Sequence, residues 1–150
     1  MKYKKQLLSP LLIPTIVAIF LLFAFLNNAN ADEQKHRLVI QVSTDDKRTQ
    51  TIAMNNAVNL QKLYGIDNVD IEIVAYGPGL GMMTAKSDHT SRVESLALQN
   101  ITFSACGNTM DKVKQKTGKH PKLSEGVGTV KAGVARIMEL QEQGYAYIRP

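Results

Sequence analysis

Apolar positions in this chain follow two alternating rhythms, short continuous runs and helical spacings. Leu38-Val39-Ile40 and Val42, within Arg37 to Val42, form a β-branched run of the kind that predicts a buried parallel strand. After a polar turn at Ser43-Thr44-Asp45-Asp46, the positions Ala53, Ala57, Leu60 and Tyr64, with Met54 and Val58 alongside, predict a helix from about Thr49 to Tyr64 closed by Gly65. A second strand, Val69 to Ala75, alternates Asp70 and Glu72 with Val69, Ile71 and Ile73, and leads into the loop Tyr76-Gly77-Pro78-Gly79-Leu80-Gly81. A helix carrying Val93, Leu96 and Ala97 then delivers the chain to a third strand, Ile101 to Ala105. A short helix from Asn108, a Lys/Gly/Pro loop and a fourth strand at Val127 to Val130 follow. The last helix presents Val134, Ile137, Met138 and Gln141, ends at Gly144, and gives way to an edge strand, Tyr145 to Ile148, before Pro150. Parallel strands need crossovers of about a dozen residues, so this order predicts an α/β fold: a single three-layer α/β/α domain on a mainly parallel sheet of about five strands.

The amino-terminal segment has a different pattern. Lys2, Lys4 and Lys5 precede a mostly apolar stretch, Leu7 to Leu26, and the small-residue site Ala29-Asn30-Ala31, which together predict an export signal over residues 1–31, a mature domain over 32–150 and a periplasmic location. The stretch also approaches the roughly 20 apolar residues of an uncleaved inner-membrane anchor facing the periplasm, which is the alternative reading. Apart from this segment nothing suggests a membrane. Removing the three lysines from 18 basic residues leaves 15 against 13 acidic ones, so the mature chain is nearly neutral. With no dense cationic cluster interleaved with aromatics, the balance argues against nucleic-acid binding, and Lys112, Lys114, Lys116, Lys119 and Lys122 read as a solvated helix and loop.

Candidate chemistry centres on Cys106, the one cysteine, placed between the third strand and a helix start. Ligands in open α/β sheets bind at the carboxyl ends of strands, beside helix amino termini. A lone thiol cannot form an intrachain disulfide; in an oxidising compartment it is buried, paired with another chain, or kept reactive by a reducing partner. A thiol with an ordinary pKa of about 8.5 is a few per cent ionised at neutral pH, so a reactive one needs help from its surroundings. Asn108 and Asp111 resemble a capping pair that would aim the helix-start amides of Gly107 and Asn108 at the sulfur, an effect worth about 0.3 to 2 kcal/mol that Asp111 partly opposes. Lys131 and Lys86 are candidate cations. The competing reading is a small buried hydrophobe ending a core strand.

Gly77, Gly79 and Gly81 permit a tight turn after the second strand, and with Met82 and Met83 they could wall a substrate pocket over Cys106, to which Gly107 and Asn108 would also belong. The loop lacks the Gly-Lys-Ser/Thr ending of a phosphate cradle. His36, His89 and His120 show no metal-site spacing and read as surface residues; a Cys-His hydrolase would require one of them folded against Cys106. Asn55, Asn56 and Asn59 are unusually polar for a sheet-packed helix and suggest an oligomer contact.

Four ordered segments carry a family resemblance: Asn55-Asn56-Ala57-Val58-Asn59-Leu60-Gln61; Val74-Ala75-Tyr76-Gly77-Pro78-Gly79-Leu80; Ala105-Cys106-Gly107-Asn108-Thr109-Met110; and Ala132-Gly133-Val134-Ala135-Arg136 through Leu140 to Pro150. On these the mature chain resembles the DsrE/DsrF-like family of small α/β sulfur-relay proteins. The resemblance implies a flavodoxin-like sandwich, assembly as a homo-oligomer (dimer, trimer or hexamer), and, as in the active members, a transferable persulfide on a cysteine after the third strand, where Cys106 stands. Its partners would be a sulfur donor or acceptor protein or a small thiol. The segment after the cysteine, Gly-Asn-Thr-Met, departs from the Ala-rich helix start of the cytoplasmic relay subunits. No signature for flavin, nicotinamide or metal is present, and a flavodoxin-like fold does not by itself call for a flavin. The other function class is a non-catalytic ligand-binding or assembly module in which the cysteine is simply packed.

Overall fold

The computed structural model describes residues 35–150, and the expected signal or anchor over 1–31 lies outside them. Five strands form one sheet: β1 (His36–Val42), β2 (Val69–Ala75), β3 (Ile101–Cys106), β4 (Val127–Val130) and β5 (Ala146–Ile148). All four strand pairings are parallel, in the order β4-β3-β2-β1-β5. The α helices are α1 (Lys47–Tyr64), α2 (Thr90–Ala97), α3 (Gly107–Thr117) and α4 (Gly133–Glu142). The glycine-rich stretch after β2, expected as a loop, is a 3₁₀ helix over Gly77–Met83.

The strand order decides where the helices go. Crossovers between parallel strands are right-handed, so the steps β1 to β2 to β3 to β4, all in one direction, put their connections on one face of the sheet. The main core lies there: Leu38, Ile40, Ile71, Ile73, Ile101 and Phe103 pack under Ala53, Met54 and Ala57 of α1, Leu80, Met82 and Met83 of the 3₁₀ helix, and Val93 and Leu96 of α2, with Met110 and Val113 of α3 against its margin. The chain then reverses to place β5 beside β1, and α4 lands on the opposite face. A smaller core forms there from Val39, Val74, Ile137 and Leu140, flanked by Tyr76 and Tyr145. Both faces are thus covered, as parallel sheets require, but among the described residues the second carries one ten-residue helix.

Helix α1 begins two residues before the periodicity predicts, because Asp46 caps it: its carboxylate accepts the Thr49 amide at 2.7 Å. It buries Gln50, Ala53, Met54 and Ala57, and Gln50 Nε2 donates to the Thr44 carbonyl at 2.9 Å. In α4 the inward face is Gly133, Ile137 and Leu140, leaving Val134 and Met138 exposed.

Candidate functional site

Adjacent strands whose outgoing connections leave for opposite faces create a crevice at their carboxyl ends. Here β3 feeds α3 on one face and β4 feeds α4 on the other, so the crevice opens between the ends of β3 and β4. Cys106 is the last residue of β3 and pairs in register with Val130, the last residue of β4. The sulfur therefore sits at the switch point of the sheet, between the starts of two helices.

Both helices turn backbone donors toward it. The Gly133 amide, at the first residue of α4, donates to Cys106 Sγ at 3.2 Å. Cys106 is itself the N-cap of α3, so the first turn of that helix, with Thr109, starts at the sulfur and adds polar groups that favour the thiolate. Thr109 is itself held in place, because its Oγ1 accepts the Gly77 amide at 3.0 Å, and its hydroxyl is one of the groups that favour the thiolate. Burial pushes the thiol pKa up, and these donors outweigh it, so the net shift is downward from the ordinary value. Cys106 is 5% exposed, and its donors replace water.

The neighbouring positions are tightly packed. A side chain at Gly133 would put its Cβ 3.1 Å from the Tyr76 ring and 3.3 Å from Cys106 Cβ, so any other residue would push these neighbours back by a few tenths of an ångström. Gly107 is comparably close to the Val130 and Lys131 carbonyls, 3.1 and 3.2 Å from where its Cβ would lie, and the Asn108 amide donates to that Lys131 carbonyl at 3.2 Å.

Several expected site residues take other places. Asn108 does not cap α3: the N-cap position belongs to Cys106 and no side chain caps the helix. Asn108 contributes only its main chain, and Asp111 pairs with His120 Nε2 at 2.8 Å instead of closing a capping box. Gly77 reaches the thiol through Thr109. Gly79 is set by β1, since a Cβ there would lie 2.2 Å from the Val42 carbonyl oxygen, whereas Gly81 has open space around it. Met82, expected beside the thiol, is buried in the main core at 1% exposure because the 3₁₀ turn points it down onto the sheet. Lys86 lines a separate cavity of about 220 Å³ with Asp45, Pro78 and His89. Asn56 and Asn59 line an apolar cavity of about 450 Å³ with Tyr64, Ala146 and Ile148, at the amino ends of β1 and β2, and Asn55 accepts from Arg92 at 2.6 Å. His36 stacks on Tyr64 with ring centroids 3.7 Å apart.

Reading the chain alone missed Thr109, Gly133 and Tyr76. Thr109 lies three residues past the cysteine, on the first turn of a helix that starts at Gly107, and that spacing was the available signal; Gly133 and Tyr76 offered none in their own surroundings.

The DsrE/DsrF-like family matches this chain over residues 36–150, the whole of the domain just described. The chain belongs to the DsrE/DsrF-like family. Among solved structures, a protein of unknown function from Methanobacterium thermoautotrophicum, MTH1491, is 33% identical, with a TM-score of 0.69, over 77% of this chain and all of its own. The ychN protein from E. coli, 13% identical, matches 77% of this chain and 99% of its own with a TM-score of 0.61, and shows the shared fold alone. No functionally curated protein matches. The five-stranded parallel sheet flanked by helices is thus the DsrE-like fold, and Cys106 occupies its switch point.

Proposed function

We propose that this DsrE/DsrF-like protein carries sulfane sulfur as a persulfide on Cys106. The observation that carries the reading is a sulfur at the N-cap of α3 that accepts the Gly133 amide of α4 at 3.2 Å, so that two helix starts meet on it. A neutral thiol is a weak acceptor that gains little from such donors, whereas a thiolate or a persulfide anion gains a charge-assisted bond from each. In the loading step the Cys106 thiolate attacks the outer sulfur of a donor persulfide; the new S–S bond forms on Cys106 as the donor's S–S bond breaks, and the donor leaves as its own thiolate. An acceptor thiolate reverses the exchange, with no net oxidation. One cysteine cannot resolve its own persulfide, so donor and acceptor are other proteins, small thiols or a second subunit.

The amino-terminal pattern supports a carrier that works outside the cytoplasm, as a mature chain from Asp32 or anchored through the uncleaved segment, and the family resemblance supports a homo-oligomer. Intact mass of protein recovered from an exporting cell, before and after a sulfane-sulfur donor, tests both loading and cleavage. The expected result is a gain of one sulfur atom on the wild type and none on Cys106→Ser; a gain on both refutes the mechanism.

The burial of Cys106 favours a second reading, in which the thiol is packing in a binding or assembly module. Alkylation separates the two. A carrier reacts in the native state, and a packing residue reacts only after denaturation.

A further inference from the structure

The face of the sheet that, among the described residues, α4 alone covers holds a buried charge that the sulfur chemistry leaves unused. Glu72 of β2 has a side chain 5% exposed, and Arg136 of α4 grips it with a two-pronged contact, Nε to Oε1 at 3.0 Å and Nη2 to Oε2 at 2.7 Å. Ser104 of β3 adds a third donor, Oγ to Oε1 at 2.6 Å. For stability alone this is an inefficient use of the site. Removing a carboxylate and a guanidinium from water costs several kcal/mol each, and an apolar pair beside Val74 and Ile137 would pack on the same face. What an apolar pair lacks is direction. A planar fork on a carboxylate sets both the rotation and the axial position of the helix that carries it.

The two ends of the network lie on the elements that frame the sulfur. Ser104 stands two residues before Cys106 on the same face of β3. Arg136 lies one turn after Gly133, and its amide closes the first turn of α4 on the Ala132 carbonyl at 3.0 Å. The 3.2 Å contact from the Gly133 amide to Sγ spans these two elements. We infer that Glu72 and Arg136 form a positioning pair, which holds the amino end of α4 on Cys106 and thereby favours its thiolate.

The test is the pH titration of thiolate ultraviolet absorbance, which needs no reagent access, with Cys106→Ser subtracted to remove the tyrosines. The other titratable side chains around the pair and the sulfur, Tyr76, Tyr145, Asp70, Lys131, Asp111, Lys112, Lys114, Lys116, Glu139 and Glu142, are unchanged throughout, and Tyr145, which feels Glu72 and Arg136, is removed by subtracting Cys106→Ser made in the same variant background. Glu72→Gln discriminates by sign. Acting directly through charge, loss of an anion would lower the thiol midpoint, with Arg136 left to its 3.5 Å pair with Glu139; acting through position, it raises the midpoint, by about half to one pH unit for a weakened helix-start contact. Arg136→Lys keeps the charge, loses the fork and is expected to raise the midpoint likewise, and it carries the test alone if Glu72→Gln does not fold. A midpoint that stays put or falls in folded variants, with only the melting temperature reduced, overturns the inference. The result is independent of whether Cys106 carries sulfur.

Discussion

Replacing Thr109 by valine tests the thiol's surroundings with little change of shape. The hydroxyl accepts the Gly77 amide at 3.0 Å and is a group that lowers the thiol pKa, so valine should remove one donor from the thiolate and does remove one acceptor from a half-buried amide. A hydrogen bond to a charged group is worth about 1.5 to 3 kcal/mol. At about 1.36 kcal/mol per pH unit, and with the Gly133, Thr109 and Asn108 amides still in place, the thiol midpoint should rise by about 1 pH unit. The orphaned Gly77 amide should cost about 1 kcal/mol of stability, near 5 °C in melting temperature for a domain of this size. The sign of the linked pH effect follows from the direction of the shift. The folded thiol ionises below its unfolded value of about 8.5, so its stabilising contribution is complete above that value and is lost as pH falls through the folded one. The stability difference between wild type and Cys106→Ser should therefore grow as pH rises through this window, and grow less in the Thr109→Val background. Thiolate absorbance and urea denaturation across pH measure both. A midpoint unchanged or lowered by Thr109→Val would refute the assignment of this hydroxyl as a donor to sulfur.

Two further predictions separate positions that look alike in the sequence. Gly79→Ala drives a Cβ to 2.2 Å from the Val42 carbonyl, backbone against backbone, and should destabilise by about 3 kcal/mol or more, whereas Gly81→Ala meets nothing within 4 Å and should be neutral or stabilising by about 0.4 to 1 kcal/mol; equal effects in a denaturation curve would contradict the packing. Met82→Ala should cost about 2 to 5 kcal/mol while leaving the thiol midpoint in place, as expected of a core side chain; a shifted midpoint with unchanged stability would return Met82 to the wall of the thiol site.

The sequence by itself determined the strands and the α helices, though not the 3₁₀ helix after β2. Runs such as Leu38-Val39-Ile40 and Val74-Ala75 can be buried on both sides only as central parallel strands, and the spacing of Ala53, Ala57 and Leu60 suits only a helix laid on them, so strand bounds were legible to within about a residue and Cys106 was legible at a strand-to-helix junction. These are local constraints, set by periods of two and 3.6 residues. Tertiary structure decided everything that depends on which strands are neighbours. The order β4-β3-β2-β1-β5 made the gap between β3 and β4 the switch point, brought Gly133 to a sulfur 27 residues away, and joined Glu72 to Arg136 across 64. The direction in which Met82 faces, and the difference between Gly79 and Gly81, were likewise settled by the 3₁₀ turn packing on β1. Periodicity tells which face of an element is apolar; it is silent on what lies across that face, because that depends on crossover handedness and strand order, to which every strand contributes at once.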